Sequence, residues 1–221
     1  MEKRLIRSLP EALLLMAIDE PSGLVRQAAE LHYGLAGALL IELGMRGRLA
    51  RDGRYLVVID GHATGDVVLD EALAHLRRSH KVRTVRAWLL QLTRIIYDLQ
   101  ERYLAQLIRA GMLRREEIPS LWRFNQHRYP LLSPGRRYAL AERLGQIVLA
   151  YAPPEPSEIA LLRLLEACDL TTVLFSVPEL PLVRSRLTTL RPTDPLTQLI
   201  VAEVASVRRD SQDFVYIVGI G

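Results

Sequence analysis

Apolar residues recur at helical spacing over Leu9–Asp19, with Leu9, Leu13, Met16 and Ala17 forming a stripe that Leu14, Leu15 and Ile18 widen. The pattern predicts a buried amphipathic helix with Pro10 in its first turn, where a proline forfeits no helical hydrogen bond. "DEPSG" reads as a turn. Leu24–Leu43 then predicts a long helix, apolar on most faces in its second half, with Gly44 placed to end it. Gly34, Gly37 and Ala38 follow i, i+3, i+4 spacing and offer a flat stripe on which another helix can pack. Glu42 is expected near the end of this helix, paired with Arg46 one turn on.

The period then changes. "GRLARDGRYLVVID" alternates at Tyr55, Val57 and Ile59 around Asp52-Gly53, a type I′ hairpin pair. Thr64-Gly65-Asp66 can cap exposed amides, so a helix is expected to restart after it. Lys81–Arg109 predicts a long basic helical stretch, interrupted near Thr93 and stopped at Gly111. The segment holding Pro119, Trp122, Phe124, Tyr129, Pro130 and Pro134 reads as a second hairpin or an extended arm with an aromatic-apolar tip. Tyr138–Ala150, Ile159–Asp169, Pro181–Leu190 and Asp194–Arg209 are further helices, and "YAPPEPSE" between the first two is the one turn-rich break. The expected organisation is a single domain over residues 1–209, followed by an apolar tail at 210–221.

Composition supports a helical globule, because nearly half the residues are hydrophobic and few are aromatic. A membrane-spanning helix needs about 20 consecutive apolar residues. Glu30, His32 and Glu42 interrupt the richest run, so it is expected to be the spine of a soluble core. The N-terminus mimics a signal peptide for a few residues but lacks a small-residue cleavage site. One cysteine, Cys168, excludes an internal disulfide framework and fits a reducing compartment. An intracellular protein is therefore expected.

The net charge of +4 is modest, so its distribution decides more than its sum. From Ala72 to Tyr97 there is no acidic residue, while Arg77, Arg78, Lys81, Arg83, Arg86 and Arg94 all occur, with His75 and His80 beside them. Such a stretch points to an anionic partner, whether lipid headgroups, nucleic acid or an acidic protein. It is equally what a solvated helix face looks like when its countercharges come from elsewhere in the fold.

Catalytic and cofactor motifs are lacking. Asp60, His62 and Asp66 in "DGHATGD" have the composition of a turn and helix cap rather than a metal site. The remaining histidines have no zinc spacing, and no phosphate-binding glycine loop or nucleophile elbow is present. Neither cofactor nor metal nor enzymatic activity is expected. Two binding readings remain. The helix-then-hairpin order over Leu99–Leu132 beside a basic helix is compatible with a winged-helix nucleic-acid binder, although Leu121, Trp122 and Phe124 make an apolar tip where a phosphate-binding wing wants cations. The alternative is a membrane-surface protein that is drawn in by its cations and inserts that tip shallowly. The same tip can instead pack on the body or on a second subunit.

In order along the chain, "LPEALLLMAIDEPSG" (Leu9–Gly23), "GLAGALLIELGMRGRL" (Gly34–Leu49), "TGDVVLDEAL" (Thr64–Leu73), "ERYLAQLIRAGMLR" (Glu101–Arg114) and "HRYPLL" (His127–Leu132) resemble the Golgi phosphoprotein 3 family, whose members bind phosphatidylinositol 4-phosphate. The resemblance implies an all-α domain, a helical-bundle core ringed by amphipathic helices and carrying one or two β-hairpins. It implies a non-enzymatic peripheral protein on the cytosolic face of membranes, the Golgi in eukaryotes. There it would bind anionic lipids and retain membrane proteins by their cytosolic tails. The hairpin, here about Glu116–Leu131, would touch the membrane and self-associate into a homo-oligomer, through Leu121, Trp122 and Phe124. The chain starts directly at the domain, which leads us to expect a prokaryotic member.

The family's headgroup pocket uses a tryptophan and an arginine on the core helix and two arginines one turn apart on the later long helix. The corresponding positions here hold Gln27, Ala36, Tyr97 and Gln100. Glutamine and alanine cannot reproduce the planar, charge-assisted bonds of a guanidinium to phosphate. Three such losses, at about 1.5–3 kcal/mol per charged hydrogen bond, predict charge-driven binding with weak phosphoinositide specificity. Arg26, beside Gln27, and Arg94, one turn from Tyr97, are the candidates for a shifted basic pocket.

Overall fold

The computed structural model describes residues 5–26, 31–79, 81–118 and 126–218, with the side chains of all of these except 126 and 211–218. The first helix, α1 (Leu9–Ala17), buries every residue except Glu11, and Pro10 occupies its first turn. Its N-cap, Ser8, makes no side-chain cap bond. The Leu9 N–H is satisfied instead by Glu42 Oε2 at 3.0 Å, from the far end of the next helix.

The chain doubles back after α1. Asp19 accepts hydrogen bonds from the Ser22 N–H and hydroxyl, Gly23 takes a φ of +69°, and Val25 bridges Ile18. Leu24 and Val25 are therefore not helical, contrary to the long helix expected from Leu24. The turn chemistry of Asp19, Ser22 and Gly23 reverses the chain before a helix can begin. The observed α2 (Leu31–Met45) also runs past Gly44. It ends at Gly47, where Arg48 N–H bonds Leu43 O and Gly47 N–H bonds Gly44 O, the paired bonds of a Schellman cap with glycine in the left-handed position.

This helix is the core. It is buried from Gly34 through Ile41 on all sides and touches α1, α3 (Val67–Arg78), α4 (Val85–Ile95), α5 (Leu99–Arg109), α7 (Pro156–Ala167) and α9 (Pro195–Val218). Its glycines set how closely the neighbours approach: a Cβ on Gly34 would lie 2.3 Å from Cys168 Sγ, and one on Gly37 would lie 2.6 Å from Val204 Cγ2. Cys168 is a buried core thiol. Gly34→Ala gains about 1 kcal/mol of helix propensity. It loses more through overpacking, so a net destabilisation of about 1–2 kcal/mol is expected in urea unfolding. Adding G34A to Cys168→Ala, where the clashing sulfur is gone, should cost nothing further.

The hairpin is present as β1 (Leu49–Asp52) and β2 (Tyr55–Val58), with Asp52 opposite Tyr55. Its loop is therefore Gly53–Arg54, one residue later than the expected Asp52-Gly53. Only Gly53 has positive φ there, which excludes a type I′ turn. A third short strand, β3 (Arg83–Thr84), pairs antiparallel with β2. Asp66 caps α3 through Val68 N–H (2.9 Å) and Leu69 N–H (3.0 Å), and Thr84 caps α4. The basic stretch breaks at Ile96–Asp98 between α4 and α5, and α5 closes on Gly111 with a second Schellman pair. A two-stranded hairpin follows, β4 (Glu116–Ile118) with β5 (Gln126–Arg128). Then come α6 (Pro134–Leu149), α7, α8 (Leu180–Thr189) and α9, each with proline in its first turn. The turn-rich break before α7 is bridged by Arg143 on Glu158 at 2.8 Å, and one cluster of buried residues runs from Ile6 to Val204. Helix α9 continues to Val218, into the stretch expected to be a tail. The fold is mostly α-helical, with small antiparallel hairpins as the sequence led us to expect.

Candidate functional site

The acid-free stretch from Ala72 to Tyr97 covers most of α3, the link to β3, and α4. The structure divides its cations. Arg86 faces α9, where Glu203, Asp210 and the Ser206 hydroxyl receive it. Arg83 lies over the Trp88 ring at 5.6 Å, and Arg77 donates to the Gly61 carbonyl at 3.1 Å, so both keep their charge but not their freedom. Arg78, Lys81 and Arg94 are exposed and have no ion pair among the described residues. The carboxylates that flank the stretch do not reach them: Glu71 and Asp98 both bind Arg102 of α5. His80 lies outside the described residues.

Apolar side chains stand beside these free cations. Val82, next to Lys81, is 68 % exposed, and Tyr97, one turn beyond Arg94, is 87 % exposed. The two groups sit at opposite ends of α4, about 16 Å apart at 1.5 Å per residue. An anionic surface broad enough to meet both ends suits this arrangement better than a single small anion does.

The positions expected for a headgroup pocket differ in their exposure. Gln27 lies outside the described residues. Ala36 is fully buried in the middle of α2 and presents no surface to a headgroup. Arg94 ends α4, Tyr97 stands in the break, and half-buried Gln100 opens α5. Arg26 is exposed and pairs with Asp19 at 3.3 Å. The Asp19 carboxyl is held below its usual range, chiefly by the Ser22 hydroxyl 2.7 Å away. An exposed pair of this kind is worth at most about 1 kcal/mol, so a phosphate can compete for Arg26. The Arg26 loop and the start of α5 meet at Tyr129, whose N–H donates to Gly23 O at 2.6 Å and whose hydroxyl lies 3.4 Å from Glu101.

The second hairpin is a charged stem. Glu116 receives both Arg114 (2.5 Å) and Arg128 (2.6 Å), so the stem carries its own countercharge. Leu121, Trp122 and Phe124 lie outside the described residues. Asp60 binds Arg48 and the His62 backbone and ring, while Asp66 caps α3, so "DGHATGD" is occupied in holding its loop. A further arginine group, Arg163, Arg191, Arg208 and Arg209, is gathered from α7, the α8–α9 link and α9. No charge run in the sequence marks it.

Together these features define a mostly helical protein with exposed cations that hold no ion pair among the described residues and with exposed apolar side chains near them in the chain. None of its described helices is long and apolar enough to cross a membrane. The sequence signature described as Golgi phosphoprotein 3 (GPP34) matches residues 9–208, and the chain belongs to that family. It is also similar to vacuolar protein sorting-associated protein 74 of Eremothecium gossypii, at 26 % identity over 164 residues, which is 64 % of this chain and 49 % of that protein. The aligned stretch thus spans about half the length of that relative.

Proposed function

We propose that this protein attaches peripherally to anionic lipid surfaces on the cytosolic face of a membrane and serves there as a non-enzymatic adaptor for membrane-protein sorting. The observation that carries the reading is the set of exposed, unpaired Arg78, Lys81 and Arg94 with Val82 and Tyr97 beside them. Basic residues near an anionic leaflet contribute about 1 kcal/mol each, and shallow apolar insertion adds to that. Membership of the Golgi phosphoprotein 3 family supports the same reading, and the name of the fungal relative supports the sorting role. Phosphatidylinositol 4-phosphate is among the lipids bound, with little discrimination, because buried Ala36 and uncharged Tyr97 and Gln100 supply no guanidinium. Leu121, Trp122 and Phe124 are proposed to add an apolar anchor.

Flotation with vesicles of phosphatidylcholine alone, or doped with phosphatidylserine or phosphatidylinositol 4-phosphate, tests the proposal. Recovery is expected with both anionic sets, to a similar degree at matched charge, and should collapse when salt shortens the screening length from about 8 Å to about 3 Å. Recovery that is equal on neutral vesicles, or absent on all of them, would overturn it.

A further inference from the structure

We infer that a cleft between α7, the α8–α9 link and α9 is a second anion site, sized for a phosphate ester rather than for a bare phosphate. The cleft has a volume of about 440 Å³, within the usual range for small-ligand sites, so a bare phosphate leaves most of it empty. Four arginines line it, Arg163, Arg191, Arg208 and Arg209, against a single carboxylate, Glu166. That carboxylate is already engaged by Arg163, which also donates to Leu187 O at 3.1 Å. Arg191, Arg208 and Arg209 have no ion pair among the described residues, although Arg191 Nε donates to Thr188 O at 3.4 Å. Guanidiniums match the several oxygens of a phosphomonoester in fork geometry, and the remaining wall, which includes Ala167, Val201 and Ala205, gives the body of the ligand a mostly neutral seat.

The cleft is separate from the stretch that carries Arg78, Lys81 and Arg94. It uses the Val201, Ala205 and Arg208 face of α9, whereas Arg86 meets the face bearing Glu203, Ser206 and Asp210, about half a helical turn away. Loss of either site should therefore leave the other intact.

Calorimetric titration of the full chain with glucose 6-phosphate, inorganic phosphate and glucose tests the assignment. One saturable site for glucose 6-phosphate is expected, with weaker binding of inorganic phosphate and none of glucose. The double variant Arg191→Ala/Arg209→Ala removes two exposed side chains that hold no ion pair among the described residues, and it should keep its unfolding midpoint. It should weaken binding at least about tenfold, since charged hydrogen bonds are being lost. The variant lacking Arg78, Lys81 and Arg94 should bind glucose 6-phosphate as the unchanged chain does. Vesicles carrying phosphatidylinositol 4-phosphate identify the source of the phosphate. If R191A/R209A lowers recovery on them, the occupant is a lipid headgroup; if recovery is unchanged while glucose 6-phosphate binding falls, it is a soluble phosphate ester. Absence of saturable binding by either phosphate, or binding that survives R191A/R209A in the folded protein, would overturn the site.

Discussion

Replacing Arg78, Lys81 and Arg94 together by alanine is expected to release the protein from anionic vesicles. At about 1 kcal/mol per basic residue near the surface, the three amount to about 3 kcal/mol, a fall in partitioning of roughly a hundredfold. All three side chains are exposed and hold no ion pair among the described residues, so the variant should unfold within about 0.5 kcal/mol of the original. Arg86 provides the contrast, because its charge is already taken by Glu203 and Asp210. Arg86→Ala should leave vesicle partitioning nearly unchanged and instead loosen α4 from α9. Changing Val82 and Tyr97 to serine should lower partitioning by an amount that salt barely alters, since apolar insertion is not screened as charge is. Sedimentation with vesicles across a salt series reads all of these. If the triple alanine variant partitions like the original, Arg78, Lys81 and Arg94 are not what meets the membrane.

That division of cations was only half legible in the sequence. The acid-free run from Ala72 to Tyr97 is visible in the order of residues, but which of its members are neutralised is not. The partners of Arg86 lie more than a hundred residues away on α9, and no local rule links them. The arginine cleft was invisible for the same reason: Arg163, Arg191, Arg208 and Arg209 form no run and converge only when α7 and α9 pack. Features governed by neighbouring residues fared better. The Asp66 cap and the glycine stop at Gly111 were readable, because each is decided within a turn or two of chain; the break between α4 and α5 falls about a turn beyond the expected Thr93, which is itself helical. Where local signals competed, tertiary pairing chose between them. Val25 has the residue type for either a helix or a bridge, and Ile18 supplies the bridge. Gly44 and Gly47 are both plausible helix stops, but Gly44 is needed inside the helix, where a Cβ would meet Leu196 at 2.9 Å.

Glu42 is a second case in which one side chain decides more than its position suggests, and Glu42→Ala is expected to destabilise the fold by about 2–3 kcal/mol, the cost of an orphaned buried N–H together with that of a part-exposed ion pair. The side chain is only 13 % exposed. One oxygen accepts the Leu9 N–H at 3.0 Å, doing for α1 what Ser8 does not, and the other accepts Arg46 Nε at 2.9 Å. Arg46 in turn donates to Thr64 O at 3.2 Å, in the loop ahead of α3. A single carboxylate thus joins the start of α1, the end of α2 and the approach to the basic helices. Alanine leaves the fully buried Leu9 with an orphan N–H, at about 1–3 kcal/mol, and strips Arg46 of its partner. Glutamine retains one good acceptor for two donors and should lose about half as much. Arg46→Ala isolates the other branch: its guanidinium is 32 % exposed and the Leu9–Glu42 bond survives, so only about 0.5–1 kcal/mol should go. Urea unfolding at constant m value ranks the three variants. The order Glu42→Ala, Glu42→Gln, Arg46→Ala follows only if the remote carboxylate caps α1. Were Arg46→Ala as damaging as Glu42→Ala, the ion pair alone would carry the effect, and the start of α1 would be held by something other than Glu42.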